Sequence, residues 1–313
     1  SWLPGMLRRQ TLSTLGVREW IGSRQWDPEA GMSRKRLSIA IYATEEFSDA
    51  CCNETIKLAS AAFESAAARE TRPSDPRSCA WQFIKYYYAA YFAANALMRL
   101  CGHASTNLSV VDCTEINEQA ALYGVGGTTD KNKFAPGVYY VQFDQASTPR
   151  VTLRLTNTKG GVHAQFWSGF RDFLAVLSQS LASASASSAE RALADKELAA
   201  LVSELQRAGS ANGAWLSEMR NAVNYRFEHG TWFPYDGALT DHPALIEAFR
   251  HALRGGTSIT DLATGVPEIL RATRCCAFLL TWLRDSLNVM GTVARGRKKS
   301  LIEDGAMGFA DRL

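Results

Sequence analysis

The stretch from Ser78 to Leu100 constrains the fold more than any other part of the chain. Trp81, Ile84, Tyr88, Tyr91, Asn95 and Met98 recur at three- and four-residue spacing, which predicts a helix. Ala89, Ala90, Ala93, Ala94 and Ala96 leave so little side-chain bulk that neighbouring helices can approach closely. A helix of this kind belongs at the centre of a bundle. Tyr86, Tyr87 and Tyr88 cannot all face one way on it, so at least one hydroxyl must meet solvent, a polar network or an interface. Gly102 then ends the helix.

The rest of the chain is read around that helix. Residues 1–36 form a basic, aromatic arm: Arg8, Arg9, Arg18, Arg24, Arg34, Lys35 and Arg36 alternate with Trp2, Trp20 and Trp26. Such a composition suits nucleic acid, and suits better an arm that packs its tryptophans on a neighbouring domain or subunit and leaves its arginines in water. Leu37 to Arg69 carries a helical pattern, broken by the two prolines of TRPSDPRS from Thr71. Residues 102–160 read as an insertion. Gly124, Gly126 and Gly127 lack the Lys-Ser/Thr ending of a phosphate loop, while Val138 to Phe143 and Val151 to Asn157 alternate like two strands of a hairpin. Two strands alone need a helix or a further strand to rest on.

Helical patterns resume at Phe166 to Leu181 and Glu190 to Arg207, separated by a Ser/Ala run that suits a weak helix or a linker. They continue at Pro243 to Leu253 and at Pro267 to Val289, the deeply packed closing helix. Residues 291–313 are a basic tail, with Arg295, Arg297, Lys298 and Lys299 close together.

Composition excludes some classes. No run approaches the roughly 20 apolar residues of a membrane span, so no membrane partner is expected. The seven cysteines form no CxxC pair and leave one over in any full pairing, which points to a reducing, cytoplasmic setting; no metal site is expected either. A net charge of +3 is too small to argue for nucleic acid by itself.

Trp215 to Pro234 reads WLSEMRNAVNYRFEHGTWFP. Trp215, Met219, Ala222 and Val223 make an apolar stripe on a helix expected to give out before Gly230, with the Arg226 stem packed beside it. Arg220, Asn221 and Asn224 fall on the opposite side, and Glu228 and His229 arrive where the helix gives out. This is either a solvated face with a capping histidine or a functional cluster.

Two pieces resemble the HEPN (higher eukaryotes and prokaryotes nucleotide-binding) superfamily. KYYYAAYFAANALMRL, from Lys85 to Leu100, is similar to its second core helix, and Arg220-Asn221 resembles the start of its Arg-(Asn/Asp/His)-x-x-x-His signature. The resemblance implies a mainly α fold: a HEPN-like helical bundle spanning residues 37–290, with an inserted β-hairpin and extra peripheral helices. It implies a homodimer and metal-independent cleavage of RNA without a cofactor, in toxin-antitoxin or phage-defence systems, where a protein partner is common. The catalytic residues would be Arg220, Asn221 and His229, with Asn224, Tyr225, Arg226 and Glu228 binding substrate. The chain departs from the signature at Tyr225, which stands where the family has its histidine. His229 is nine residues beyond Arg220, about 13 Å along a continuing helix. Three readings follow: an active endoribonuclease, a catalytically silent dimeric scaffold or sensor, and an unrelated helical nucleic-acid-binding protein that uses its N-terminal arm.

Overall fold

The structure is a computed structural model that describes residues 15–67, 78–126, 133–144, 148–156, 160–233, 235, 242–254, 258–261, 265–293 and 301–310. It is mainly helical, with a small antiparallel sheet. The helices are α1 (Val17–Gly22), α2 (Thr44–Ala66), α3 (Ala80–Leu100), α4 (Val110–Leu122), α5 (Val162–Leu181), α6 (Ser188–Leu205), α7 (Trp215–Tyr225), α8 (His242–Arg254) and α9 (Glu268–Val293). The strands are β1 (Asp27–Pro28), β2 (Arg36–Ala40), β3 (His103–Leu108), β4 (Gly137–Asp144) and β5 (Arg150–Leu155).

The Tyr/Ala segment is the central helix, as its pattern predicts. α3 packs against α2, α9, α7 and α5, and its alanines are buried. Its three tyrosines diverge. Tyr86 lies flat on Phe249 of α8, with ring centroids 3.7 Å apart, Tyr87 turns to α5 and α7, and Tyr88 is half-buried. Trp81, expected on the apolar stripe, is largely exposed instead. The vicinal pairs Cys51-Cys52 and Cys275-Cys276 are buried in α2 and α9 as small apolar side chains.

The sheet departs from the sequence expectation. The hairpin is present as β4 and β5, paired Tyr140 to Arg154 and Val141 to Leu153, but it forms the middle of a five-stranded sheet ordered β1-β2-β5-β4-β3 among the described residues. β2 occupies the beginning of the segment read as helical from Leu37. Leu37 and Ile39 alternate inward while Arg36 is exposed, a period of two that a five-residue run hides inside a longer helical pattern. β3, HASTNL, is too polar to announce itself as a strand and is held by its pairing with β4. The hairpin thus gains the flanking strands that a lone pair lacks.

The N-terminal segment joins the same core. Trp20 and Trp26 are buried, Trp20 edge-on to Phe47 at 4.7 Å, and Arg18 pairs with Asp112 of α4 at 2.9 Å. These tryptophans are therefore unavailable to stack bases. Trp2, Arg8, Arg9 and the basic cluster from Arg295 to Lys299 lie outside the described residues.

One buried histidine sets a pH limit. His103 is 7% exposed and shares a 2.7 Å hydrogen bond with the Tyr140 hydroxyl, with Phe173 beside its ring. Burial, and then the charge of Arg154, pushes its pKa down to about 4. The unfolded chain binds this proton below about 6.5 and the folded chain only near 4, so stability is full above 6.5 and is lost as pH falls through that window. Between pH 7 and pH 5 His103 alone should remove about 2 kcal/mol. His103→Gln, followed by urea unfolding at both pH values, is expected to flatten that part of the pH dependence.

Candidate active site

α7 is placed by its apolar stripe. Trp215, Leu216, Met219, Ala222 and Val223 are buried, and they set α7 against α3, α5, α6 and α9. Arg220, expected on the outer side, is only 7% exposed. Its guanidinium lies 5.6 Å from the Tyr87 ring centroid and 5.7 Å from that of Tyr225, sandwiched in cation–π contact. Nη1 donates to Asn221 Oδ1 at 2.8 Å and to the Tyr225 hydroxyl at 3.4 Å. Nε is buried and has no hydrogen-bond partner among the described residues. A buried guanidinium with an unused donor is costly unless an acceptor arrives.

The helix ends at Tyr225, short of Glu228 and His229 where the sequence suggests it gives out. The Glu228 N–H donates to the Ala222 carbonyl at 3.1 Å and the Trp232 indole N–H to the Val223 carbonyl at 2.8 Å, satisfying the last turn from outside the helix. The chain reverses there through Phe227 (φ 56°), His229 (φ 65°) and Gly230 (φ 58°). Arg226 consequently leaves the apolar stripe. Its side chain is 54% exposed and pairs with Glu228 at 2.6 Å, so its stem does not pack as the sequence suggested.

Arg220 and Asn221 line a cleft of about 360 Å³ between the first turn of α5 and the first half of α7. Asn224, Tyr225, Arg226, Glu228 and His229 are not among its lining residues; Tyr225 meets the site only through Arg220. The histidine that does line it is His163, which sequence reasoning overlooked. The signal was the Gly160-Gly161 pair before the periodic run from Phe166, which marks a helix start with His163 in its first turn.

His163 is held from behind. Trp167 Nε1 donates to the Tyr87 hydroxyl at 3.1 Å, the Ser217 hydroxyl also hydrogen-bonds Tyr87, and Tyr87 Oη lies 3.0 Å from His163 Nδ1. An indole N–H only donates, so Tyr87 keeps its own proton for a second bond, and with Nδ1 engaged by Tyr87 the Nε2 side of His163 is left for the cleft. Burial raises the Tyr87 phenol well above its ordinary range, which keeps that proton in place. Burial, and then the Arg220 charge, lowers His163 to about 4, so the ring is neutral at pH 7.

The other donors converge on the same space. α5 has Gly161 as its N-cap with no side-chain cap, and Gly160, Gly161, His163 and Ala164 line the cleft, so the positive end of the helix dipole lies at its wall. Gly160 sits at φ 126°, where a Cβ would come within 3.0 Å of the Ala164 Cβ. Asn221 gives its carbonyl oxygen to Arg220, leaving its NH₂ to turn outward. Glu218, whose carboxylate accepts from the Ser210 hydroxyl, brings the one acidic group among the lining residues.

Fold and site together define a mainly helical protein with a small antiparallel sheet, carrying a cleft lined by a cation, an amide, an imidazole and a carboxylate. No protein-family model, curated protein or solved structure matches the chain.

Proposed function

We propose that this cleft is the active site of an endoribonuclease of the HEPN type, in which His163 takes the place the signature gives to the residue now occupied by Tyr225. The observation that carries the reading is the buried Arg220 guanidinium with its unpartnered Nε, lining one cleft with His163 and the uncapped start of α5. A phosphodiester supplies the acceptor oxygens that arrangement lacks.

The chemistry follows from the residue types. Arg220, the Asn221 amide and the α5 N–H groups hold the phosphate and stabilise the charge that develops as the 2′-hydroxyl attacks phosphorus. Glu218 accepts the 2′-hydroxyl proton. A bound phosphate offsets the field of Arg220, making His163 easier to protonate, and the imidazolium hands its proton to the departing 5′-oxygen. The products are a 2′,3′-cyclic phosphate and a free 5′-hydroxyl. A homodimeric effector in phage defence or a toxin-antitoxin pair is the wider setting the resemblance implies.

The test is purified protein with labelled RNA in EDTA, beside His163→Ala and Glu218→Gln. The expected result is cyclic-phosphate ends for the wild type and a loss of about 10²–10⁴-fold in each variant. The pH profile adds a signature. kcat/KM should rise as pH falls from 7 towards about 4, where free His163 protonates, while the kcat limb lies at higher pH because substrate is bound. RNA that binds but stays intact with correct folding would favour the silent scaffold, the reading for which Tyr225 speaks.

A further inference from the structure

The loop after α7 displays an unusual surface. Phe227 is 63% exposed, Phe233 82%, and Trp81, which meets Trp232 of the loop from the first turn of α3, 61%. The rings stand edge to face: Trp81 on Trp232 at 5.8 Å and 81°, Phe227 on Trp232 at 6.0 Å and 72°, Phe233 on Tyr235 at 5.9 Å and 89°. An edge-to-face pair covers at most one ring face, so flat faces remain open on the surface.

The loop is held in place. The Ser78 hydroxyl donates to the Thr231 carbonyl at 2.7 Å, and the Thr231 hydroxyl to the Glu228 carbonyl at 3.1 Å, in addition to the two bonds that close α7. Phe227, His229 and Tyr235 all have positive φ, a conformation that non-glycine residues keep only where their surroundings over-determine it. A strained loop fixed at several points, with its aromatic rings turned outward, is built to present them.

Tyr225, the last residue of α7, stands two residues before Phe227 and touches Arg220 of the cleft. It is 66% exposed, yet its ring and hydroxyl both meet Arg220. We infer that the Trp81–Phe227–Phe233 surface is a stacking platform for unpaired nucleobases next to the phosphate held by Arg220, so that the protein engages single-stranded rather than duplex nucleic acid. The inference rests on the reading of the cleft as a phosphate site. Its physical basis is the match of two adjoining surfaces, one for anionic backbone and one for flat rings, to the two chemistries of a single strand.

The experiment uses full-length protein and a 2′-O-methyl octanucleotide, which cannot be cleaved, beside the same backbone without bases. Tryptophan fluorescence reports stacking. The base-bearing strand is expected to quench it and to bind about tenfold or more tightly than the abasic one. Trp81→Ala and Phe233→Ala, both at exposed positions, should each weaken the base-bearing strand about tenfold and leave the abasic strand unchanged. Arg220→Met should weaken both strands alike. Equal binding of the two strands, or unchanged binding by both aromatic variants, overturns the platform. So does a dimer that Phe233→Ala dissociates while oligonucleotide affinity stays the same, since the surface then serves a second copy. Base preference that persists while cleavable RNA stays intact keeps the platform and sinks the endoribonuclease reading instead.

Discussion

Arg220→Met is expected to lower RNA cleavage about 10²–10³-fold while leaving the fold as stable as before, or more so. A structural arginine at 7% exposure would behave in the opposite way. Among the described residues Arg220 gives its bonds to Asn221 and Tyr225, with no carboxylate among the acceptors, and its Nε is buried without a partner. The side chain is therefore a desolvated cation whose compensation is missing until an anion binds. Methionine fills similar space between the Tyr87 and Tyr225 rings without that cost. The thermal midpoint should separate the cases. Phosphate at about 100 times its Kd should stabilise the wild type by about 2.7 kcal/mol, and the methionine variant not at all. Arg220→Lys keeps the charge but loses the fork, so it should fall between the two. His163 adds a second readout: without the Arg220 charge its pKa moves up towards the ordinary histidine value, visible by NMR titration. A methionine variant that unfolds easily and still gains stability from phosphate would make Arg220 a packing residue.

Long amphipathic segments were legible because their periodicity is repeated many times. α3, α5, α6 and α9 all lie where their apolar spacing placed them, and the β4–β5 hairpin stands where the alternation began. Short elements carry too few repeats. β2 offers two inward residues, Leu37 and Ile39, and β3 relies on its partner strand more than on its own composition. The candidate site was half legible for a related reason. Arg220 and Asn221 are adjacent in sequence, so one motif finds both, whereas His163 reaches them only because α5 and α7 pack side by side on α3. α7 ends earlier than its sequence pattern suggests because the bonds that close it come from Glu228 and Trp232, beyond the helix. That early end is also what carries His229 out of the cleft's lining.

The same central helix carries the buried ion pair on which the attachment of the N-terminal segment depends, and Glu54→Ala is expected to cost about 3–5 kcal/mol. Arg99, near the end of α3, is 7% exposed and donates through Nε to Glu54 of α2, whose side chain is 21% exposed. Its other donors go to neutral oxygens, Asn95 Oδ1 at 3.1 Å and the Ser105 carbonyl of β3 at 3.1 Å. Glu54 also accepts from the backbone N–H of Val17 at 3.0 Å, the first residue of α1. Alanine at 54 therefore leaves a buried charge without its counterion and an α1 donor without its acceptor. Neither loss can be made good by water at that depth without opening the α2–α3 seam. Glu54→Gln keeps an acceptor oxygen and should cost less. The double variant Glu54→Leu/Arg99→Met should recover most of the loss, because replacing both ions removes the desolvation of each. Urea unfolding of the wild type, Glu54→Ala, Arg99→Met and the Glu54→Ala/Arg99→Met double variant measures the coupling, and hydrogen exchange at Val17 shows whether α1 has come loose. If the Glu54→Ala and Arg99→Met costs simply add in the double alanine–methionine variant, the pair holds nothing together. Strong coupling with fast exchange at Val17 makes Glu54 the point at which α1, α2 and α3 are fastened.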